Sequence, residues 1–229
     1  MEKIAGIEVV TLDADQTLWD FQKVMQHSLH CALSELKEAD PEAASKLDIE
    51  KMIEIRDRVA EEMKHMASHE AVRLEAFRQT LVEIGRSNDA LAAQLHRVYM
   101  QHRFEDIELY EDVLPTLTIL RERYKLGLLS NGNSDPARCG LDGMFSLVVF
   151  SQDCGVEKPD PEFYRIAVEE AGCSKEELLN VGDSLYRDVI GAANAGIRSV
   201  WLNRKHVEIP PGMKVDYEIH SLTELLKIL

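Results

Sequence analysis

One stretch limits what this chain can become: residues 9–20, V-V-T-L-D-A-D-Q-T-L-W-D. The apolar run reads as a buried strand. It ends abruptly in two carboxylates, Asp13 and Asp15, with Thr17 two residues later. Carboxylates are among the side chains least often buried unless they are paired or hold a metal. In an extended chain, side chains at i and i+2 point to the same side, so both acids would project into one site. The stretch therefore predicts a catalytic strand end.

Size and charge narrow the setting. At roughly 100 to 200 residues per domain, 229 residues make one large domain or two small ones. A hydrophobic content of 45% supports a packed core. A net charge of −15 argues against a nucleic-acid polymer or an anionic membrane surface as partner. It leaves room for a small phosphorylated metabolite in a locally positive site. The four cysteines are scattered, with no C-x-x-C pair, as expected of reduced thiols. There is no basic segment followed by an apolar core at the N-terminus, and no apolar run nears the roughly 18 to 20 residues of a membrane span. The expectation is a cytoplasmic protein, monomeric or homodimeric.

Along the chain, strand and helix signals alternate in all but one region. Strands are predicted at 8–12, 125–129, 147–151, 178–181, 199–202 and 215–219. Helices are predicted at 113–123, 161–171, 185–195 and 222–229, with a weaker one at 135–141. Residues 21–106 differ: about four helices are expected there, with stripes such as Leu29, Leu33, Leu36 and Leu74, Phe77, Leu81, Ile84. Alternating strands and helices imply a parallel sheet. The fold class is therefore α/β, a Rossmann-like parallel-sheet core (residues 1–19 and 107–229) with an inserted all-helical cap (20–106).

Open parallel sheets bind ligands at the carboxyl ends of their strands. Four predicted ends carry polar groups: Asp13 and Asp15, Ser130 and Asn131, Lys158 in the following loop, and Asp183 with Asp188 nearby. Phosphoryl transfer uses such a set. Asp13 suits a nucleophile that takes the phosphoryl group as an aspartyl-phosphate. Asp15 suits a general acid and base. A carboxylate and a phosphate dianion repel, and Mg²⁺ held by carboxylates such as Asp13 and Asp183 resolves this. Lys158 offsets further charge, and Ser130 and Asn131 are the phosphate-binding candidates beside it.

D-A-D-Q-T at 13–17, L-L-S-N-G at 128–132, K-P-D-P at 158–161 and G-D-S-L-Y-R-D at 182–188 resemble the four ordered motifs of the haloacid dehalogenase (HAD) superfamily. The insertion after the first strand resembles that family's C1-type cap. The resemblance implies Asp13 as nucleophile and Asp15 as acid/base with its main-chain carbonyl on the metal. It also implies Ser130 and Lys158 on the phosphoryl group, Asp183 on Mg²⁺, and Asp188 supporting the site or orienting Lys158. Dehalogenating members lack an acid at the position of Asp15, so its presence implies phosphate-ester chemistry. Thr17 is more typical of phosphatases than of phosphomutases. S-Q-D-C-G-V-E-K-P-D-P at 151–161, G-A-A-N-A-G-I at 191–197 and V-W-L-N-R at 200–204 look like the branch of pyrimidine 5′-nucleotidases and N-acylneuraminate-9-phosphatases. Gln16 departs from the Gly, Asn or Glu commoner in the family.

Substrate contacts from the cap region are sought among His65, His69, Arg73 and Arg78, with Trp19 as a candidate stacking surface. His27 and His30 are expected on the surface. The alternatives to a phosphatase are a phosphomutase of the same superfamily and a non-catalytic binding module that kept the fold.

Overall fold

The computed structural model describes residues 3–63 and 68–229; His65 lies outside the described residues. Six parallel strands, β1 (Val9–Leu12), β2 (Lys125–Ser130), β3 (Leu147–Phe150), β4 (Leu178–Gly182), β5 (Arg198–Leu202) and β6 (Glu218–Ile219), form one sheet in the order β3-β2-β1-β4-β5-β6. The α-helices in chain order are α1 (Phe21–Ala39), α2 (Pro41–Ala44), α3 (Ile49–Glu62), α4 (His69–Glu83), α5 (Asp89–Glu105), α6 (Val113–Leu120), α7 (Ser151–Cys154), α8 (Pro161–Ala171), α9 (Gly191–Asn194) and α10 (Leu225–Ile228). Two compact units result. One comprises Met1–Asp20 and Glu108–Leu229, the other Phe21–Ile107.

In the α/β unit, β1 is central and fully buried, which is why Val9, Val10 and Leu12 are apolar. Its register pairs Leu12 with Leu128 on one side and Val181 on the other. The carboxyl ends of β1, β2 and β4 therefore lie level. The chain builds the sheet outward from β1 through β2 to β3, then returns to place β4 on the other side of β1. Ligand crevices form at such reversals. Val9, Leu129, Val149, Phe163, Tyr164 and Leu178 pack the core beneath. Helix α8 starts where Asp160 caps the Glu162 N–H with Pro161 in its first turn, and ends at Gly172 in the left-handed region.

Several elements depart from the sequence expectation. The helix expected over 185–195 is a π-helical turn, Leu185–Ile190, followed by α9. The Ser184 carbonyl accepts from both Asp188 and Val189 N–H groups, and this wider turn brings Asp188 back over β4. The helix expected to reach 123 stops at Leu120, and the patch at 135–141 is a short 3₁₀ turn, Pro136–Cys139. Only Glu218–Ile219 of 215–219 pair as a strand, and α7 occupies what reads as loop.

The helical unit is held by Met25, Leu29, Leu36, Phe77, Leu81, Leu95 and Tyr99, all buried. Its helices are started by side-chain caps: Asp48 on Lys51 N–H, Ser68 on Ala71 N–H, and Asn88 on Leu91 N–H. Among the described residues, no helix is long and apolar enough to cross a membrane.

Candidate active site

The site is built within the α/β unit. Asp13 directly follows β1, and its N–H donates to the Val181 carbonyl at 2.8 Å. The Lys158 ammonium, 2% exposed, donates to Asp13 Oδ1 at 2.6 Å, to Asp188 Oδ1 at 2.7 Å and to the Leu129 carbonyl at 2.9 Å. Burial alone would push this lysine towards neutrality. The two carboxylates outweigh it, so Lys158 is held charged.

Asp188 is 1% exposed, and its Oδ2 accepts from the Ser184 N–H at 3.0 Å. Carboxylate oxygens of Asp13, Asp183 and Asp188 lie within 4.8 Å of one another. Burial pushes the Asp13 carboxyl well above its ordinary range. Lys158 opposes that shift, and the Asp188 and Asp183 charges add to it. Asp183 is pushed up to about 6, by burial and then by Asp188. Three carboxylates thus share one ammonium, and the excess negative charge with all-oxygen donors fits a hard divalent cation such as Mg²⁺. Close packing here depends on Gly182. A Cβ on it would lie 2.2 Å from Asp188 Cγ.

Asp15 stands slightly apart. Its side chain is not among these clustered acids; its Oδ1 accepts from the Trp19 indole N–H at 2.9 Å. Trp19 is fully buried. The expectation of a stacking surface for substrate is corrected here: a tight loop closed by Gln16 N–H to the Trp19 carbonyl goes with an indole buried and turned onto Asp15. Gln16 lies at φ 66, in the left-handed region where glycine and asparagine are favoured. Its side chain donates to Asp20 Oδ1 at 3.2 Å. Thr17 is buried, and its Oγ1 has no hydrogen-bond partner among the described residues.

Ser130 is buried at the end of β2, and its Oγ accepts from the Gly132 N–H at 3.0 Å. Asn131, expected beside it as a phosphate binder, is engaged elsewhere. Its carboxamide donates to the Lys158 carbonyl and accepts from the Lys158 N–H, both at 2.8 Å. Such a two-point clamp uses both polar ends of the side chain, so Asn131 fixes the loop that presents Lys158.

Sequence reading missed three supports. Asn180 accepts from Thr11 Oγ1 at 3.0 Å and donates to the Asp188 carbonyl at 3.1 Å; a lone amide in the apolar run 178–181 was the available signal. The Trp201 indole donates to the Asp183 carbonyl at 2.8 Å. Arg204 donates to the Thr17 carbonyl and pairs with both oxygens of Asp112 at 2.9 Å. In the helical unit, His69 and Arg73 are half-buried on α4, while Arg78 is exposed and paired with Glu75 and Asp89. Arg103, not anticipated, is 1% exposed and lies over the Phe21 and Phe104 rings.

A model of the haloacid dehalogenase-like hydrolases matches residues 7–196. The chain belongs to that family. It is 31% identical to a glyceraldehyde 3-phosphate phosphatase from Methanopyrus kandleri, over 97% of each chain. It is 30% identical to the pyrimidine 5′-nucleotidase PynA from Streptococcus pneumoniae, over 95% of this chain and 92% of that one. Among solved structures, a 2-haloacid dehalogenase from Pseudomonas syringae pv. Tomato DC3000 superposes with a TM-score of 0.82, at 31% identity over 97% of each chain. The sheet and its inserted helices are therefore the haloacid dehalogenase fold, and the chain is an enzyme of this hydrolase family.

Proposed function

We propose that the chain is a Mg²⁺-dependent phosphatase acting on a small phosphomonoester, a nucleotide or a sugar phosphate, through an aspartyl-phosphate at Asp13. The observation that carries this reading is the pair Asp13 and Asp15. One carboxylate is bound by the buried Lys158 ammonium, and the other is held separately by Trp19. Asp13 and Asp183, with Asp188 beside them, would hold Mg²⁺, which when bound would offset the charge between nucleophile and phosphate.

The chain's own groups do the rest. A carboxylate oxygen of Asp13 attacks phosphorus, and the bond to the leaving oxygen breaks as Asp15 donates its proton. Asp15 then takes a proton from the water that attacks phosphorus, and the bond to Asp13 breaks. Lys158 and Ser130 stabilise the phosphoryl oxygens. Asp188 and Asn131 hold Lys158 in place from either side.

The relatives named a glyceraldehyde 3-phosphate phosphatase and a pyrimidine 5′-nucleotidase support this substrate range. The likeness to a 2-haloacid dehalogenase favours a second reading, carbon–halogen hydrolysis. Asp15 speaks against it, because halide needs no proton to leave. The test is turnover of nucleoside monophosphates, sugar phosphates, phosphoglycolate and 2-chloropropionate with Mg²⁺ in isotopically labelled water. Phosphate release carrying one solvent oxygen, abolished by EDTA, is expected. Halide release without phosphatase activity contradicts the reading, and retained phosphoryl groups with little free phosphate would mark a mutase.

A further inference from the structure

We infer that the helical unit carries its own site for a borderline transition-metal ion such as Zn²⁺, formed by His27, Cys31, His102 and Asp106. His27 and Cys31 are four residues apart on α1, hence on one face, and His102 and Asp106 are four apart at the end of α5. Helices α1 and α5 pack together, which brings the two pairs to one place. Ligand atoms of His27, Cys31 and His102 lie within 4.8 Å of one another. Asp106 Oδ2 joins them, 2.8 Å from His27 Nε2 and 2.7 Å from His102 Nδ1. Cys31 Sγ is 3.7 Å from His27 Nε2.

Two imidazoles, a thiolate and a carboxylate are the donor set that Zn²⁺ takes tetrahedrally. Bond lengths of about 2.3 Å to sulfur and 2.0–2.1 Å to nitrogen or oxygen place S and N about 3.6 Å apart, and N and O about 3.4 Å apart. The sulfur–nitrogen spacing is already of that size. The nitrogen–oxygen pairs, now joined by hydrogen bonds, must open by about 0.6 Å to admit the ion. The side chains have that freedom: His27, Asp106 and His102 are 53%, 36% and 32% exposed.

Burial and the Asp106 charge keep the Cys31 thiol protonated above its ordinary range. Binding therefore releases the thiol proton to solvent as the sulfur–metal bond forms. This set differs in kind from the all-oxygen cluster of the α/β unit, so the two sites divide borderline from hard ions. Asp106 immediately precedes Ile107, the last residue of the helical unit, and α1 opens that unit. The ion would staple together the two ends of the unit.

The full chain, saturated with Mg²⁺, is titrated with Co²⁺, and Zn²⁺ affinity is then read by competition. Expected are one Co²⁺ per chain with tetrahedral visible bands and a thiolate-to-cobalt charge-transfer band. Cys31→Ser removes the charge-transfer band and weakens Zn²⁺ binding at least about tenfold, and His102→Ala weakens it similarly. Both variants alter half-exposed side chains and should keep the wild-type circular dichroism. No thiolate band in the wild type, or a band and affinity unchanged in Cys31→Ser, overturns the proposal.

Discussion

At the residue scale, the site depends on small clearances. Gly182 passes under Asp188 with no room for a side chain. Gly182→Ala must displace Asp188, and with it the Lys158 ammonium. We expect kcat to fall about 100-fold or more, as for comparable misplacement of catalytic groups, with a lower melting temperature. Steady-state kinetics and thermal denaturation on the same preparation check this; near-wild-type turnover would mean Asp188 does not position Lys158. Trp19→Phe keeps the ring and removes only the donor to Asp15. The expected result is a kcat reduced roughly tenfold, because one hydrogen bond to a charged group contributes about 1.5–3 kcal/mol and packing recovers part of it. KM should change little. A rise in KM with kcat intact would return Trp19 to the role of substrate contact.

At the scale of elements, the level strand ends do the assembling, and loops between them are braced from outside the motifs. Asp112 precedes α6 without capping it through its side chain. Its carboxylate instead receives Arg204, the Ser221 hydroxyl and the Leu222 N–H, joining α6 to the C-terminal segment and to the Thr17 loop. Burial alone would raise Asp112; Arg204, Ser221 and Leu222 reverse this and hold it below the usual range. A carboxylate depressed in the folded state stabilises fully above its unfolded value of about 3.9, and that contribution is lost as pH falls through the folded value. Melting temperatures of the wild type should therefore drop on acidification below about pH 4, and Asp112→Asn should show a smaller part of that drop. At neutral pH the variant should be less stable by about 1.5–3 kcal/mol, read from denaturant unfolding. Equal acid sensitivity in both proteins would remove Asp112 from this role.

The same scale marks how far the sequence could be read. The apolar strands that run into Asp13, Ser130 and Asp183 announce themselves, because burial on both faces and a polar terminus leave a strong contrast in polarity. The π-helical turn at Leu185–Ile190 was hidden, since helical periodicity is nearly unchanged by one wider turn. Asn131 and Trp19 were placed at the site, but that their side chains hold the Lys158 loop and Asp15 was not foreseen, because position along the chain does not tell which way a side chain points. Arg204 lies 187 residues from Thr17, and only the folded sheet brings them together.

At the scale of the whole molecule, the proposed active site lies in the α/β unit, and the helical unit is inserted directly after Asp20. Lys158 is the buried cation on which the acidic site balances. Lys158→Ala leaves Asp13 and Asp188 facing each other without it, and breaking a buried pair in this way costs about 3–5 kcal/mol. Lys158→Met fills the same volume and separates packing from charge: it should fold better than the alanine variant and still be inactive. The central claim is that phosphoryl groups pass through Asp13. The most direct measurement is mass spectrometry of acid-quenched Asp15→Asn enzyme after mixing with an aryl phosphate and Mg²⁺, since loss of the acid/base slows release of the enzyme-bound phosphoryl group. The account predicts a phosphoryl group on the peptide carrying Asp13, absent when Asp13 is also changed to Asn. Continued turnover of the substrate by Asp13→Asn enzyme, with no phosphoryl group on that peptide, would contradict it.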